Sequence, residues 1–270
     1  VAELIARVTA GAADTDAAPR VISIAANPAS RLSPFSMVIE LYQAALGQPP
    51  ARGRSARTQL TQRLHHRLRA AGVAEALARA VATDLDRAME LTGGVGIGAP
   101  EVADLRPRIS AGLATFRAAL RDRLQLVVIE DIHMADGPSL EVLRHSFAEP
   151  APGGELVVLT ARPGGQAPPP VDAEIAIADL VGSELRALIA DRLGDAATPG
   201  NIAAVIARAG GNPLFVEELA QAVRDARGEA EIPPSARDVA LARIERLSPR
   251  ARTAARFAAA MTGVVRARLV

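Results

Sequence analysis

LQLVVIEDIHMAD, residues 124–136, is the stretch from which the rest of the chain is read. Residues 124–130 form an almost unbroken apolar run rich in Val and Ile, the pattern of a strand buried on both faces inside a parallel sheet. The run ends on two adjacent carboxylates, Glu130 and Asp131, at the end of the strand where open parallel sheets hold their ligands. Successive side chains of an extended chain point to opposite sides, so the two acids face different directions if the strand geometry persists. Two readings stay open. The acids divide the work of holding water on Mg²⁺ and orienting an attacking water in phosphoryl transfer, or they belong to a capped strand-to-helix turn. Asp136, followed by Gly137-Pro138, reads as the N-cap of the next helix.

Outward from this stretch, a helix over 138–148 and a second apolar strand over 155–160 complete a strand-helix-strand unit, which folds with a right-handed crossover and parallel pairing. Upstream, VISIAA at 21–26 reads as a short buried strand before the Asn27-Pro28 turn. Helical periodicity then covers 34–45, 57–71, 74–91 and 102–120. Downstream, 173–178 reads as a further strand, and 183–193, 201–209, 214–226, 235–247 and 249–260 read as helices. The chain opens in a periodic segment, Val1, Leu4, Ile5 and Val8, with no capping residue before it. The fold class is therefore α/β.

Composition removes several chemistries. The chain of 270 residues has no cysteine, which excludes a disulfide framework, thiolate zinc sites, iron-sulfur clusters and cysteine nucleophiles. Its 31 basic residues are all arginine, so Schiff-base chemistry and a phosphate-binding lysine are absent from it. Against 30 acids the formal charge is +1, with no dense basic stripe, and direct nucleic-acid binding is not expected. Alanine is about a fifth of the chain and aromatics 2%, which suits closely approaching helices. Apolar runs are broken by Arg, Asp or Pro before they reach membrane-spanning length, and the first residues lack a secretory pattern, so a soluble cytoplasmic protein without membrane partners is expected.

Other candidate residues carry less. His133 has no second histidine at metal-ligand spacing, His65 and His66 face apart on a helix, and His145 falls in a packed one. Ser139, Ser146 and Thr160 lack a GxSxG elbow. GGVGIGAP at 93–100 has the glycine spacing of a phosphate loop, but Ala99 and Pro100 stand where Lys and Ser/Thr are needed, so it reads as a connection. Thr160 and Arg162, in TARP after the second apolar strand, either reach the carboxylate edge and report bound phosphate or form an exposed turn. Asn212-Pro213 starts a helix either as scaffold or as part of a ligand site.

Taken in order, VVIEDIHMAD (127–136), VVLTARP (157–163) and GNPLFVEEL (211–219) closely resemble the ATPase domain of signal-transducing AAA-like proteins, the STAND class. Residues 21–46 also resemble the strand and helix that follow the P-loop helix in that class, and 232–260 resemble entry into a winged helix. The resemblance implies a three-layer P-loop NTPase-like parallel sheet lacking its first strand. It implies a nucleotide-binding core over 1–180, a helical lid over 181–228 and a partial winged-helix-like segment over 229–270. Glu130 would hold Mg²⁺ through water, Asp131 would orient the attacking water, Thr160 and Arg162 would lie on the sensor strand, and Asn212 and Pro213 would belong to the region that closes over ATP.

VAELIARV (1–8) resembles the latter part of the helix after a GxxGxGK[ST] loop, which implies that the loop lies upstream of Val1. The family's acidic pair is often Asp-Asp; Glu130 keeps the charge on a longer arm. The resemblance implies an ATP-binding regulatory switch that works with a regulatory protein or effector domain, hydrolyses ATP slowly only as a complete protein, and shows little or no ATPase activity in this chain alone. The alternative is a nucleotide-independent interaction scaffold with a degenerate ATPase fold.

Overall fold

Three strands pair in parallel: β1 (Arg20–Ala25), β2 (Gln125–Glu130) and β3 (Glu155–Leu159), in the order β1-β2-β3. The apolar run at 124–130 takes the central position that its composition requires; Leu124 ahead of the strand is exposed, residues 125–129 are buried, and Glu130 is half-buried. The register sets Ala25 beside Glu130 and Ile129 beside Leu159. The ladder continues one bond beyond the strands, because Ala26 N–H donates to the Glu130 carbonyl and Thr160 N–H to the Ile129 carbonyl. The computed structural model describes residues 1–10, 19–28, 31–50, 53–93, 99–120, 122, 124–148, 154–166, 168–225, 244 and 247–260. They fall into two units, Val1–Asp172 and Ala173–Val270.

In the first unit, α1 (Ala2–Ala10) precedes β1, and none of its residues is buried. The β1-to-β2 connection carries α2 (Ser36–Ala45), α3 (Arg54–Ala70), α4 (Glu75–Gly93) and α5 (Ala99–Ala119), and the β2-to-β3 crossover is α6 (Gly137–Phe147). Alternate strand residues Ile22, Ile24, Val127 and Ile129 join the core of these helices. The helices answer with residues at helical spacing: Leu60, Leu64 and Leu68 on α3, and Leu105, Ile109, Leu113 and Phe116 on α5. Tyr42 of α2 packs on Phe116 at 4.9 Å between ring centroids, and burial, helped by the charge of Asp84, pushes its hydroxyl pKa up. Gly112 of α5 lets α4 come close: a Cβ there would stand 3.1 Å from Val81 Cγ1. Leu126 and Val128, on the other face of β2, are also buried, whereas Leu156 of β3 is half exposed.

Charged groups gather at the amino end of the sheet. Arg117 of α5 is buried, donates to both Glu155 carboxylate oxygens at the start of β3 and to the Ser146 carbonyl, and lies 4.6 Å from the Phe147 ring centroid. Asp122 receives Arg20 from β1 at 3.2 Å and Arg67 from α3 at 2.8 Å. Burial raises the Asp122 carboxyl, but Arg20 and Arg67 outweigh it and hold it below the usual carboxylate range.

In the second unit, α7 (Gly182–Leu193), α8 (Pro199–Ala209) and α9 (Pro213–Asp225) share a core of Leu185, Ile189, Leu193, Val205, Val216, Leu219 and Val223. Thr198 caps α8 by accepting the Asn201 N–H on its hydroxyl. The strand expected over 173–178 does not form. Ile175 and Ile177 are 87% and 95% exposed, and the segment pairs with no strand among the described residues. Alternation suits a strand but cannot make one without a partner for its backbone. The first such bond comes at Leu180, whose N–H donates to the Gly211 carbonyl at 2.9 Å.

A final helix, α10 (Pro249–Ala260), is capped by Ser248, and most of the helix expected over 235–247 lies outside the described residues. Much of the segment read as winged-helix-like, 229–270, also lies outside them, as does the glycine-rich 94–98. Among the described residues no helix is long and apolar enough to cross a membrane.

Removing one member of a buried ion pair leaves the other charge uncompensated, so Arg117→Met is expected to cost about 3–5 kcal/mol in urea unfolding, with much of the loss recovered in Arg117→Met/Glu155→Leu. Because the folded carboxyl pKa of Asp122 is depressed, its contribution is present above the unfolded carboxylate range and disappears as pH falls through the folded value. The stability difference between wild type and Asp122→Asn should therefore be largest at neutral pH and vanish in acid, as measured by urea unfolding across pH.

Candidate functional site at the carboxyl edge of the sheet

At the end of β2 the chain turns sharply. Asp131 adopts a left-handed conformation, φ 52°, which Asp tolerates better than most residues. A 3₁₀ turn over Ile132–Met134 follows. Thr160, just past β3, holds this turn from the neighbouring strand. Its hydroxyl accepts the Asp131 N–H at 2.9 Å and its carbonyl accepts the Ile132 N–H at 2.9 Å.

Asp136 fixes the other end of the turn. It is 1% exposed and accepts four hydrogen bonds. Oδ1 takes the Ser139 N–H and the Phe35 N–H, each at 2.8 Å, while Oδ2 takes the Ser36 hydroxyl at 2.9 Å and the Met37 N–H at 3.4 Å. Asp136 therefore caps α6, as its sequence context indicates, and also supplies the acceptor missing at the start of α2. There the N-cap residue is Phe35, left-handed and fully buried, with no side-chain oxygen of its own. Ser139 adds to the tie by accepting the Val38 N–H on its hydroxyl at 3.3 Å, a structural use of a side chain considered as a nucleophile.

Four of the residues singled out from sequence are brought together here. Glu130 is half-buried and the Asp131 side chain is 54% exposed. Neither carboxylate accepts a hydrogen bond among the described residues; the nearest basic nitrogen is Nδ1 of His133, 4.0 Å from Asp131 Oδ1. Thr160 is half-buried, and Arg162 is exposed while its N–H donates to His133 Nδ1 at 3.3 Å. Asn212 and Pro213 belong to the second unit, where they start α9. The Asn212 side-chain oxygen accepts the Leu214 N–H at 3.0 Å, and Pro213 takes the first helical position.

Sequence reasoning missed Phe35 and Ser36, whose partner is about a hundred residues away, and the burial of His133. The left-handed residue before α2 carries no glycine or asparagine signal, and a three-residue 3₁₀ turn is too short to show periodicity.

Mg²⁺ in nucleotide sites is commonly held through one or two carboxylates, and Glu130 and Asp131 are two acids at this edge that accept no hydrogen bond among the described residues. They do not make a closed metal cage: no group of three or more His, Asp or Glu residues able to hold a metal is present among the described residues. Phosphate oxygens find no lysine anywhere in the chain. In a polar groove lined by α3 and α4 most charges are paired with one another: Arg57 with Asp86 and Glu90, and Glu75 with Arg69 and Arg79. Glu75 is held below the usual carboxylate range chiefly by its hydrogen bond from Arg79. No protein-family model matches the chain, and neither a curated protein nor a solved structure does.

Asp136→Ala leaves four donors without their acceptor and is expected to cost about 3 kcal/mol in urea unfolding, since a lost cap and each unsatisfied buried donor are worth about 1 kcal/mol or more. Thr160→Val should cost about 1 kcal/mol and speed exchange of the Asp131 amide, while Thr160→Ser keeps the bond and the protection.

Proposed function

We propose that this edge is the magnesium-facing side of an ATP-dependent regulatory switch of the kind found in STAND ATPases, built on a three-layer P-loop-like α/β core. The observation that carries the reading is the pair Glu130 and Asp131, carboxylates without hydrogen-bond partners among the described residues, at the end of the central parallel strand with the Asp131 backbone locked to Thr160. Parallel sheets bind ligands at this end. Glu130 would hold magnesium through water, and Asp131 would position a water beside the terminal phosphate. Thr160 and Arg162, on the adjoining loop, respond to whether phosphate is present. Bound magnesium would supply charge neutralisation for the phosphate oxygens. Asn212 and Pro213, at the start of α9, belong to the helical module of the switch, whose conformation a regulatory protein or effector domain would read.

The phosphate cradle is not among these residues. The chain has neither a GxxxxGK[ST] sequence nor a lysine, so the reading has this chain hold ATP weakly, through the metal alone, and predicts negligible hydrolysis by it. The same absence favours a second reading, a nucleotide-independent scaffold that keeps the acidic edge only as structure.

Thermal unfolding separates the two. The switch reading predicts that Mg²⁺ and ATP together raise the midpoint at millimolar concentrations, that neither does so alone, and that Glu130→Gln and Asp131→Asn abolish the shift. A scaffold shows no shift. Hydrolysis by the chain at an ordinary enzyme rate, lost in Asp131→Asn, would contradict the weak, metal-only hold on phosphate that the reading gives this chain.

A further inference from the structure

His133 is buried at the centre of this edge, 6% exposed, and the switch as described gives it no task. Its Nδ1 accepts the Arg162 N–H at 3.3 Å. An acceptor nitrogen carries no proton, so a neutral ring in this position has its proton on Nε2. Nε2 is itself buried and has no hydrogen-bond partner among the described residues. Burying an N–H without an acceptor costs stability that an apolar side chain of similar size would not, so packing alone does not account for the ring.

The opposing loop is shaped to the histidine. Gly165 approaches so closely that a Cβ built on it would lie 2.6 Å from His133 Cβ, nearer than real side chains come. The segment 160–165 is thus held against the 131–134 turn at three hydrogen bonds, two through Thr160 and one through His133, with Gly165 seated against the His133 Cβ. Thr160 fixes only the first residue of the segment. The Nδ1 bond is what carries the constraint two residues further, to the backbone of Arg162.

We infer that His133 is a positioning residue: the acceptor nitrogen Nδ1 of its ring anchors the Arg162 backbone and sets where the Thr160–Arg162 segment stands relative to Asp131. The inference rests on the reading of this edge as a site and names the part that keeps its two halves in register. It concerns the ring's acceptor nitrogen rather than its bulk, so an asparagine, whose side-chain oxygen can take the place of Nδ1, should do what leucine cannot.

Two measurements on the whole chain test it without nucleotide. In ¹⁵N NMR of the histidine rings, His133 should show an unprotonated, hydrogen-bonded Nδ1 and a protonated Nε2. In amide hydrogen exchange, His133→Leu should speed the Arg162 amide by about tenfold or more while core amides of α3 stay protected, and His133→Asn should restore most of the protection. A ring protonated at Nδ1, or Arg162 exchanging equally fast in the leucine and asparagine variants, would overturn the inference. Should His133→Leu fail to fold, the ring tautomer of the wild-type chain decides alone. Failure of the switch reading would appear separately, as the absence of an ATP-dependent thermal shift with the exchange pattern intact.

Discussion

The buried carboxylate of Asp136 is the constraint on which the first unit depends. A carboxylate taken out of water must be repaid in hydrogen bonds, and this one draws its donors from two places far apart in sequence: the turn before α2 and the first turn of α6. One side chain therefore sets where two helices begin. The short stretch between β2 and Asp136 is left with little freedom, and its conformation follows: a left-handed Asp131, a 3₁₀ turn, and a histidine pressed under the neighbouring loop.

The two ends of the sheet are treated differently. At the amino end, charges are consumed by structure, with Arg117 on Glu155 and Asp122 between Arg20 and Arg67. At the carboxyl end the backbone is fully tied, by Thr160 on one side and Asp136 on the other, while the carboxylates of Glu130 and Asp131 accept no hydrogen bond among the described residues. The turn is thus ordered by protein groups while its two acids are left to solvent, so a ligand at this edge would not have to order the backbone.

Much of this arrangement is legible in the residues themselves. The apolar run at 124–130 marks the central strand, helical spacing marks the helices of both units, and Asp136 before Gly137-Pro138 marks a cap. What escapes the sequence is whatever depends on a distant partner. The helix read from Pro34 begins at Ser36 because its acceptor comes from Asp136 rather than from a local Ser or Asp. The alternating segment at 173–178 has the composition of a strand and no strand to pair with among the described residues. Asn212 and Pro213 read as scaffold ahead of ligand site; the amide oxygen of Asn212 is used in capping α9, which is local chemistry. Thr160 was visible as a hydroxyl at a strand end, but its grip on the Asp131 backbone belongs to the parallel register.

The central claim is that Glu130 and Asp131 face a nucleotide-bound divalent cation. Manganese(II), used in place of magnesium with ATP, tests it most directly through the paramagnetic loss of amide signals in a protein NMR spectrum. The account predicts ATP-dependent loss centred on residues 130–133 and 160–162, absent in Glu130→Gln/Asp131→Asn. Signal loss spread over the surface acids, or unchanged in the double variant, would contradict it.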